Sequence, residues 1–287
     1  MIIENIRHNE LTTVITTFHS QEKIYKCIDS IDSRIKIILV DNSNDLDFQN
    51  DIKKKYKNVE ITFSGENLGY AKGNNLGLSK VKTKYALILN PDVIVEKNTI
   101  DNFFKLIKEI KNFAIIAPET QDEKNYELET KKQNLKLYEV EKVKGFAMFF
   151  NIKEFSEIGF FDENFFIYLE ETDLCLRLKK KNKKIFLCSE IRFIHSGGSS
   201  HNESINFEME LSRNWHWMWS SFYFNKKHYG FSVALFKVSG KLFSSFLKTI
   251  LYLIVFNKRK KKIYYQRFSG LMNSIFGKKS WYRPKIF

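Results

Sequence analysis

The sequence predicts an α/β fold in which helices cover both faces of a mostly parallel β-sheet. Short runs of β-branched and aromatic residues recur through the first half of the chain and alternate with stretches of helical spacing. Such alternation is typical of parallel strands joined by crossover helices. The apolar run Tyr85–Leu89 passes directly into Asn90-Pro91-Asp92, so a carboxylate stands at the end of a buried strand, where open α/β sheets bind ligands.

The apolar runs place five strands and one helix. The strands are predicted at Leu11–Phe18, Ile35–Val40, Val59–Phe63, Tyr85–Leu89 and Phe113–Ala117. A helix is predicted around residues 100–110, because Ile100, Phe103, Phe104, Ile107 and Ile110 recur with helical spacing. Further along, Trp215, Trp217 and Trp219 fit an alternating strand and a helix equally well.

Composition indicates a folded enzyme rather than a secreted disulfide-rich protein. With 287 residues, of which 43% are hydrophobic, the chain can bury a sizeable core in one large domain or two small ones. Its cysteines, Cys27, Cys175 and Cys188, are odd in number and show no metal-binding spacing. The first residues lack the basic start and long apolar core of a signal peptide. These features favour a reducing cytoplasm.

Positive charge is concentrated at the end of the chain. Beyond Glu210 the sequence holds 16 Lys or Arg residues and no Asp or Glu. Residues 1–210 hold 31 basic and 33 acidic residues, a net charge of −2, so the +14 of the whole chain comes from this tail.

The same tail is rich in large apolar side chains from Phe231 to Phe256, and Lys258–Lys262 follow directly. Lys237, Lys241 and Lys248 interrupt the apolar run, which argues against a membrane-spanning helix and favours an amphipathic helix at an anionic membrane surface. The alternative is a basic helix that packs on the rest of the protein. Nucleic acid is not the expected partner, since no recognised nucleic-acid-binding motif is present.

Polar residues follow the first two predicted strands. Thr16 and Thr17 close the first, and Asp41 opens the sequence Asp-Asn-Ser after the second. A carboxylate at this edge can accept hydrogen bonds from the base or ribose of a nucleotide. Asp-Asn-Ser is also an ordinary turn sequence.

A glycine-rich stretch at residues 65–77 comes next, with four glycines and several asparagines. It reads as a loop that enters a helix, where backbone N–H groups can hold phosphates or sugars. Asn67, Gly73 and Asn74 are its candidate donor-binding residues. The stretch matches neither the P-loop nor the Rossmann fingerprint, and a glycine-rich surface loop is the alternative.

Taken in order, these motifs resemble family 2 inverting glycosyltransferases, and most closely their bacterial rhamnosyltransferase branch. The resemblance extends over about residues 11–200 and rests on several matches in the correct order. The matching segments are Thr16-Thr17, Val40-Asp41-Asn42-Ser43, Asn67-Leu68-Gly69-Tyr70-Ala71 with Asn74-Asn75-Leu76-Gly77, Leu89-Asn90-Pro91-Asp92, Gly145–Phe150, and Gly159–Glu163 leading to Glu170-Glu171-Thr172-Asp173.

The resemblance implies a GT-A fold, that is, a Rossmann-like nucleotide-binding mixed sheet with helices on both faces, and a nucleotide-sugar donor. The family's DxD-type motif, which holds Mg²⁺ or Mn²⁺ against the donor diphosphate, maps onto Asn90-Pro91-Asp92. Because Asn90 replaces the first Asp, Asp92 is the expected direct metal ligand and Asn90 is expected to contact the donor through its amide or a water.

The acidic cluster at residues 170–173 supplies the catalytic base in this interpretation. Inversion requires a carboxylate to remove the acceptor's proton on the side opposite the departing diphosphate. Glu171 occupies the position where the family usually has an Asp, and it is one methylene longer. Glu170 and Asp173 are expected on the acceptor side or as positioning residues. The alternative is a helix start whose acids suit the macrodipole.

His195 is the last candidate, since it follows a predicted short apolar strand and precedes Gly197-Gly198. In related enzymes a histidine at this point joins the metal or diphosphate site, whereas an isolated histidine is more often structural. Ser199, Ser200 and His201 are expected in a loop that orders over the donor. The sequence gives no comparable context to the other histidines, which are His8, His19, His216 and His228.

The resulting prediction is a metal-dependent inverting glycosyltransferase with a catalytic domain at residues 1–225 and a basic, amphipathic, membrane-associated region at residues 226–287. It transfers a sugar, rhamnose from dTDP-rhamnose being the first choice, to a hydroxyl of a cell-surface glycan or lipid-linked precursor at the inner face of the cell membrane. Galactose, glucose or N-acetylhexosamine donors are alternatives. So are a nucleotidyltransferase and an inactive protein that binds sugar nucleotides or membrane.

Overall fold

The computed structural model describes residues 8–110, 112–119, 137–195 and 203–286. The chain divides into two compact units. Unit 1 comprises Met1–Leu68, Gly73–Phe161 and Leu174–Asn202, and unit 2 comprises Gly69–Lys72, Asp162–Asp173 and Glu203–Phe287. The predicted domain boundary between residues 225 and 226 lies inside a helix of unit 2. The division into a catalytic domain and a membrane-associated region stays a prediction.

Unit 1 is built on a mixed β-sheet. Among the described residues, eight strands follow the order β3-β2-β1-β4-β8-β6-β9-β7. They are β1 (Leu11–Thr17), β2 (Lys36–Asp41), β3 (Val59–Phe63), β4 (Tyr85–Leu89), β6 (Ile115–Pro118), β7 (Leu137–Glu139), β8 (Ala147–Asn151) and β9 (Ile185–Cys188). The first four run parallel, and β8 lies antiparallel between β4 and β6. A separate two-stranded ribbon pairs β5 (Val93–Val95) with β10 (Phe193–His195) in antiparallel register.

Helices cover both faces of this sheet. They are α1 (Gln21–Asp29), α2 (Leu46–Lys55), α3 (Gly69–Leu78), α4 (Thr99–Glu109) and α5 (Glu170–Lys180), and the first turns of α3 and α5 belong to unit 2. Alternate residues such as Ile15, Leu39 and Leu87 point to one face, where they form a core with α1, α2 and α4. Val14 points to the other face, toward Gly77 of α3.

The predicted α/β architecture is confirmed, with two corrections to the sequence interpretation. The strands predicted near residues 35 and 113 begin one and two residues later than expected, at Lys36 and Ile115. The sheet is less parallel than the apolar runs indicate, because β8 and β7 enter it antiparallel.

Unit 2 is mainly helical in the described residues. It contains α6 (Asn206–Tyr229), α7 (Phe231–Ile254) and α8 (Lys258–Ile275). Met218 and Phe222 of α6 form a core with Val238 of α7 and Leu271 of α8. The tryptophan run therefore lies on a helix, with Trp215 and Trp219 buried and Trp217 exposed.

An extended segment after α8 packs on α6. The ring of His216 contacts the carbonyl oxygen of Tyr282 through Nε2 at 2.8 Å and the hydroxyl of Ser280 through Nδ1 at 3.0 Å. Burial lowers the pKa of His216 to about 3, so the ring is neutral and can accept one of these hydrogen bonds while donating the other. The hydrogen bond from the indole N–H of Trp219 to the carbonyl of Lys278 adds a third attachment.

One face of α7 remains exposed although it is apolar. Phe236 is 83% exposed, Phe243 65% and Ile254 66%, and Phe256 just beyond the helix is 88% exposed. No helix within the described part of the chain is long and apolar enough to cross a membrane. Among the exposed apolar residues of α7 are those at positions 236, 243, 247, 250 and 254, a spacing that keeps these five on one side of a helix.

We expect Gly77→Ala to destabilise unit 1. A Cβ at this position would overlap Cγ1 of Val14 and approach Cγ2 of Val40 to 3.2 Å, and overpacking of a tight core costs roughly 1–3 kcal/mol. Urea unfolding measures the loss.

Gly240→Ala is the matched control. Apart from its chain neighbours and the backbone of its own helix, no described atom lies within 4 Å of the place that a Cβ would take there. This variant should be neutral or stabilising by up to about 1 kcal/mol. Equal stabilities for the two variants would contradict this packing.

Candidate active site

A tight turn carries Asp92 away from the central strand β4. All five residues of β4 are buried, so the chain must leave the sheet before it can expose a polar group. The backbone N–H of Asn90 donates to the carbonyl of Phe146 at 2.9 Å, and Val93 N–H donates back to the carbonyl of Asn90 at 3.3 Å. Pro91 occupies the second position of this turn, which its fixed φ suits. Asp92 follows as the third residue.

The β5–β10 ribbon then brings His195 to Asp92. In this ribbon His195 is the register partner of Val93. Its ring stacks on Phe146 with a centroid distance of 4.7 Å and an interplanar angle of 4°. Nε2 of His195 lies 3.7 Å from Oδ1 of Asp92, which is too long for a hydrogen bond.

The environment of Asp92 fits a bound cation. Its side chain is 2% exposed, and within the described residues Oδ1 has no hydrogen-bond partner. A buried carboxylate oxygen without a donor is costly unless a positive charge reaches it. A carboxylate oxygen and an imidazole nitrogen that face each other are ligands that Mn²⁺ accepts, and Mg²⁺ takes the carboxylate. No group of three or more His, Cys, Asp or Glu side chains that could together hold a metal ion occurs in the parts of the chain that the structure describes.

The ends of β1 and β2 bring a second group of predicted residues together. Thr16 and Thr17 pair in register with Val40 and Asp41. The hydroxyl of Thr16 donates to Oδ1 of Asn74 on α3 at 3.1 Å. Gly73 permits this approach, because a Cβ there would lie 2.6 Å from Cγ2 of Thr16. Thr17 is buried, and its hydroxyl finds no hydrogen-bond partner among the described residues.

The carboxylate of Asp41 stabilises the turn that follows β2. Its buried carboxylate accepts hydrogen bonds from the backbone N–H of Ser43 at 2.9 Å and of Asp45 at 3.0 Å, and from the Ser43 hydroxyl. These contacts shape the loop between β2 and α2. A contact with a nucleotide base or ribose remains a prediction for Asp41, as it does for Asn67, which is half-buried in the loop before α3.

In unit 2, a strained backbone precedes the acidic cluster. Tyr168 and Leu169 both adopt left-handed conformations, with φ of 74° and 69°. Each such residue costs on the order of 1–3 kcal/mol, and this kind of strain concentrates at functional sites. The pair turns the chain so that α5 begins at Glu170. Asp173 N–H closes the first turn by donating to the carbonyl of Leu169 at 2.8 Å.

The neighbouring carboxyl groups of Glu170 and Glu171 lie in different environments. Glu170 is buried, and Oε2 has no hydrogen-bond partner in the described residues. Burial, and then the negative charge of Glu171, raise the pKa of Glu170 well above its usual value. Glu171 is only half-buried and accepts a hydrogen bond from the Thr172 hydroxyl at 3.2 Å. Such a difference in environment favours the protonated form of Glu170, and Glu171 is the more accessible of the two side chains.

The first turn of α3 packs closely on the same segment. Tyr70 N–H donates to the carbonyl of Phe166 at 2.7 Å. Gly69 adopts φ +75°, and a Cβ there would overlap that carbonyl oxygen. Burial, followed by the charges of Glu170 and Glu171, raises the pKa of Tyr70, so its hydroxyl stays protonated beside the acidic pair.

Sequence reasoning missed two residues of unit 2 that hold Asp173. Asp173 is fully buried, and its Oδ1 lies 2.6 Å from Nζ of Lys227 and 2.8 Å from Nε2 of His228. His228 thus has a specific acidic partner, contrary to the sequence interpretation. No local pattern marks it, because Lys227 and His228 read only as the basic last turn of a helix. Ser199, Ser200 and His201, the predicted donor loop, lie outside the described residues.

Comparison with known proteins identifies the family. The sequence model described as glycosyl transferase family 2 matches residues 12–177. The chain therefore belongs to glycosyltransferase family 2, and the GT-A fold implied by its motifs is confirmed by solved structures. One is the mannosyltransferase PcManGT from Pyrobaculum calidifontis in complex with GDP-Man and Mn²⁺, with a TM-score of 0.59, 11% identity, and coverage of 94% of this chain and 88% of that chain. Another is S. aureus TarS 1–349 in complex with UDP, with a TM-score of 0.52, 14% identity, and coverage of 97% and 94%.

Two curated relatives have similar sequences. The low-salt glycan biosynthesis hexosyltransferase Agl10 of Haloferax volcanii is 26% identical over 212 residues, which cover 66% of this chain and 67% of the relative. The rhamnosyltransferase WbbL of Escherichia coli K12 is 25% identical over 240 residues, covering 71% and 88%. The chain is thus similar to enzymes that transfer hexoses or rhamnose.

We expect Glu170→Gln to change how stability depends on pH. Glu170 has a folded-state pKa raised above the ordinary 4.5, so its contribution is fully present below about pH 4.5 and is lost as pH rises through the folded-state value. The isosteric neutral variant should therefore gain stability relative to the parent between pH 5 and pH 8, by at most about 1.4 kcal/mol per pH unit. Urea unfolding at several pH values measures this difference. Glu163→Gln, at an exposed glutamate, should leave the pH dependence of the unfolding free energy unchanged. If the unfolding free energies of Glu170→Gln and the parent changed with pH at the same rate, the raised pKa of Glu170 would be contradicted.

Proposed function

We propose that this family 2 enzyme transfers a sugar from a nucleotide-sugar donor to a hydroxyl group with inversion at the anomeric carbon, using a divalent cation. The observation that carries the proposal is the buried Oδ1 of Asp92, which has no hydrogen-bond partner among the described residues and faces Nε2 of His195 at 3.7 Å, just beyond the end of the central strand. Asp92 and His195 would hold Mn²⁺ or Mg²⁺ there, with Asn90 beside them. A bound cation would neutralise negative charge on the diphosphate of the donor.

Thr16, Thr17, Asp41, Asn67, Gly73 and Asn74 are proposed to bind the donor nucleotide. The contact of Thr16 with Asn74 and the close approach at Gly73 bring the end of β1 against α3. The hydroxyl of Thr17, which has no hydrogen-bond partner in the described part of the chain, lies at the same strand end. Groups at this edge of a sheet are the ones that a nucleotide reaches.

Glu171 is proposed as the general base. Its carboxylate takes the proton of the acceptor hydroxyl, and the hydroxyl oxygen forms a bond to the anomeric carbon. The bond from that carbon to the diphosphate oxygen breaks, and the electron pair leaves with the nucleoside diphosphate. Glu170 stays protonated through burial and so cannot accept this proton as readily, which supports Glu171 as the base.

Rhamnose from dTDP-rhamnose is the donor that we propose first, on the strength of the similarity to WbbL. Galactose, glucose and N-acetylhexosamine donors follow, since the similarity to Agl10 is of the same size. The proposed acceptor is a hydroxyl of a surface glycan or of its lipid-linked precursor. A lipid-linked acceptor agrees with the apolar face of α7 and the basic residues around it.

We propose further that α7 and the start of α8 bind the anionic inner face of the cell membrane. Phe236, Phe243 and Ile254 offer apolar area to the acyl boundary. The 16 basic and no acidic residues beyond Glu210 complement lipid phosphates, at roughly 1 kcal/mol per basic side chain near the surface.

Asp92→Asn and Glu171→Gln should separate donor binding from chemistry. Calorimetric titration with a panel of nucleotide sugars and Mn²⁺ or Mg²⁺ should find one donor whose binding needs the metal and is lost in Asp92→Asn. Glu171→Gln should bind that donor as the parent does and lose about 10²–10⁴-fold in transfer rate, the usual contribution of a general base.

Asp101→Asn is the control for the charge change, because Asp101 is exposed on α4. It should bind and transfer as the parent does. Release of a transferred nucleotide instead of a glycoside would identify a nucleotidyltransferase, and donor binding without any turnover in the parent would identify a binding protein. Either result contradicts the proposed reaction.

Membrane binding should depend on the basic residues of α8. Replacing the exposed Lys258, Lys260 and Lys262 by Gln should weaken co-sedimentation with phosphatidylglycerol vesicles by about 100-fold, from roughly 1 kcal/mol per side chain. The matched control replaces the exposed Lys53, Lys54 and Lys57 of unit 1 and should bind as the parent does. The proposed membrane-binding surface would be contradicted if both triple variants lost vesicle binding equally. It would also be contradicted if the parent bound neutral phosphatidylcholine vesicles as well as phosphatidylglycerol vesicles.

A further inference from the structure

One lysine contacts both ends of the segment that carries the acidic pair. The part of unit 2 between Asp162 and Asp173 contains Glu170 and Glu171. Nζ of Lys227 lies 2.7 Å from Oδ2 of Asp162 and 2.6 Å from Oδ1 of Asp173. A single ammonium group therefore joins the first and last residues of the segment.

Both carboxylates that Lys227 contacts are largely removed from solvent. The side chain of Asp173 is 0% exposed, that of Asp162 is 14% exposed, and that of Lys227 is 28% exposed. Burial by itself would raise the pKa of Asp162, but the hydrogen bonds from Lys227 and Asn164 outweigh it and lower that pKa. Removing Lys227 would take away an ammonium partner of the buried Asp173 carboxylate, and an uncompensated buried charge is costly.

Other side chains of α6 contact the segment along the same helical face. Tyr223 donates to Oδ2 of Asp162 at 3.0 Å, and Nε2 of His228 lies 2.8 Å from Oδ1 of Asp173. Between the two ends, the hydroxyl of Ser220 donates to the carbonyl of Ile167 at 3.0 Å. The ring of Trp217 meets Tyr168 edge to face at 5.5 Å.

The contacts from α6 restrain a segment whose backbone is strained. Left-handed residues such as Tyr168 and Leu169 persist only where surrounding structure over-determines the backbone. If the ends of the segment were free, relaxation of this pair would turn the first residues of α5 away from their present direction. Asp173 lies two residues after Glu171 in the same helical turn, so fixing Asp173 fixes the direction from which the Glu171 side chain leaves the helix.

We propose that Lys227, assisted by His228, is a positioning residue for the general base. By joining Asp162 to Asp173 it closes the strained segment and holds Glu171 in the direction that proton removal requires. The proposal rests on the assignment of Glu171 as base in the proposed function. Lys227 has no part in binding the donor or in moving the proton.

The test is a double-variant cycle of Lys227→Met with Glu171→Gln, read as transfer rate at saturating donor and acceptor. Lys227→Met alone should lower kcat by about 10- to 100-fold, the scale of a misplaced catalytic group, with the Kd for the donor nucleotide unchanged. In the Glu171→Gln background the same change should lower the residual rate by less than about twofold, because the positioned group is already gone.

Two further variants keep the result interpretable. Lys226→Met removes the same charge from an exposed neighbouring residue and should transfer as the parent does, while Lys227→Arg should restore most of kcat. If Lys227→Met does not fold, Asp162→Asn loosens one end of the segment and should show the same dependence on Glu171.

The outcomes separate this proposal from the proposed function. A kcat loss for Lys227→Met that is equally large in the Glu171→Gln background overturns the positioning role and leaves Glu171 as base. A rate for Glu171→Gln equal to that of the parent overturns the base assignment itself. An unchanged kcat for Lys227→Met overturns the positioning role whatever Glu171 does.

Discussion

Removing a carboxylate from water costs several kcal/mol unless the protein supplies a compensating partner, and this chain buries acidic side chains at each part of its candidate active site. Three of them show three kinds of compensation. Asp92 faces an imidazole and keeps one oxygen unpaired among the described residues. Glu170 is compensated by a proton, which its raised pKa retains. Asp173 is compensated by Lys227 and His228. In the proposed mechanism these differences matter because they leave Glu171 as the accessible carboxylate of its cluster.

The strands of unit 1 were largely predictable because buried parallel strands read as continuous apolar runs. The predicted bounds of β3 and β4 are those observed, and α4 lies where its apolar spacing placed it. The position of β8 between β4 and β6 was not predictable, because strand order follows from pairing between distant residues. The short strand at His195 was predicted, but β5 and its pairing with β10, which explain why His195 meets Asp92, were missed.

The acidic cluster was recognisable in the sequence as a candidate site, and the family resemblance singled out Glu171 as the expected base. What sequence alone could not show is that Glu170 and Glu171 differ in burial. That difference comes from the packing of unit 2, which buries Glu170 and leaves Glu171 half-buried. Lys227 and His228 could not be foreseen, since a basic last turn is what most helices carry to suit the macrodipole. Only the packing of unit 2 gives them acidic partners.

Unit 2 consists of three stretches that are far apart in the sequence, and this affects how the protein folds during synthesis. Asp162–Asp173 is synthesised well before α6, with which it packs, and α6 in turn packs on α8 and on the segment around Tyr282. Such long-range contacts form slowly and late. During translation, unit 1 has its whole sequence available before the helices that steady the acidic cluster have left the ribosome. A nascent or prematurely ended chain therefore lacks the contacts that α6 makes with the acidic segment, because these contacts form only after α6 has been synthesised.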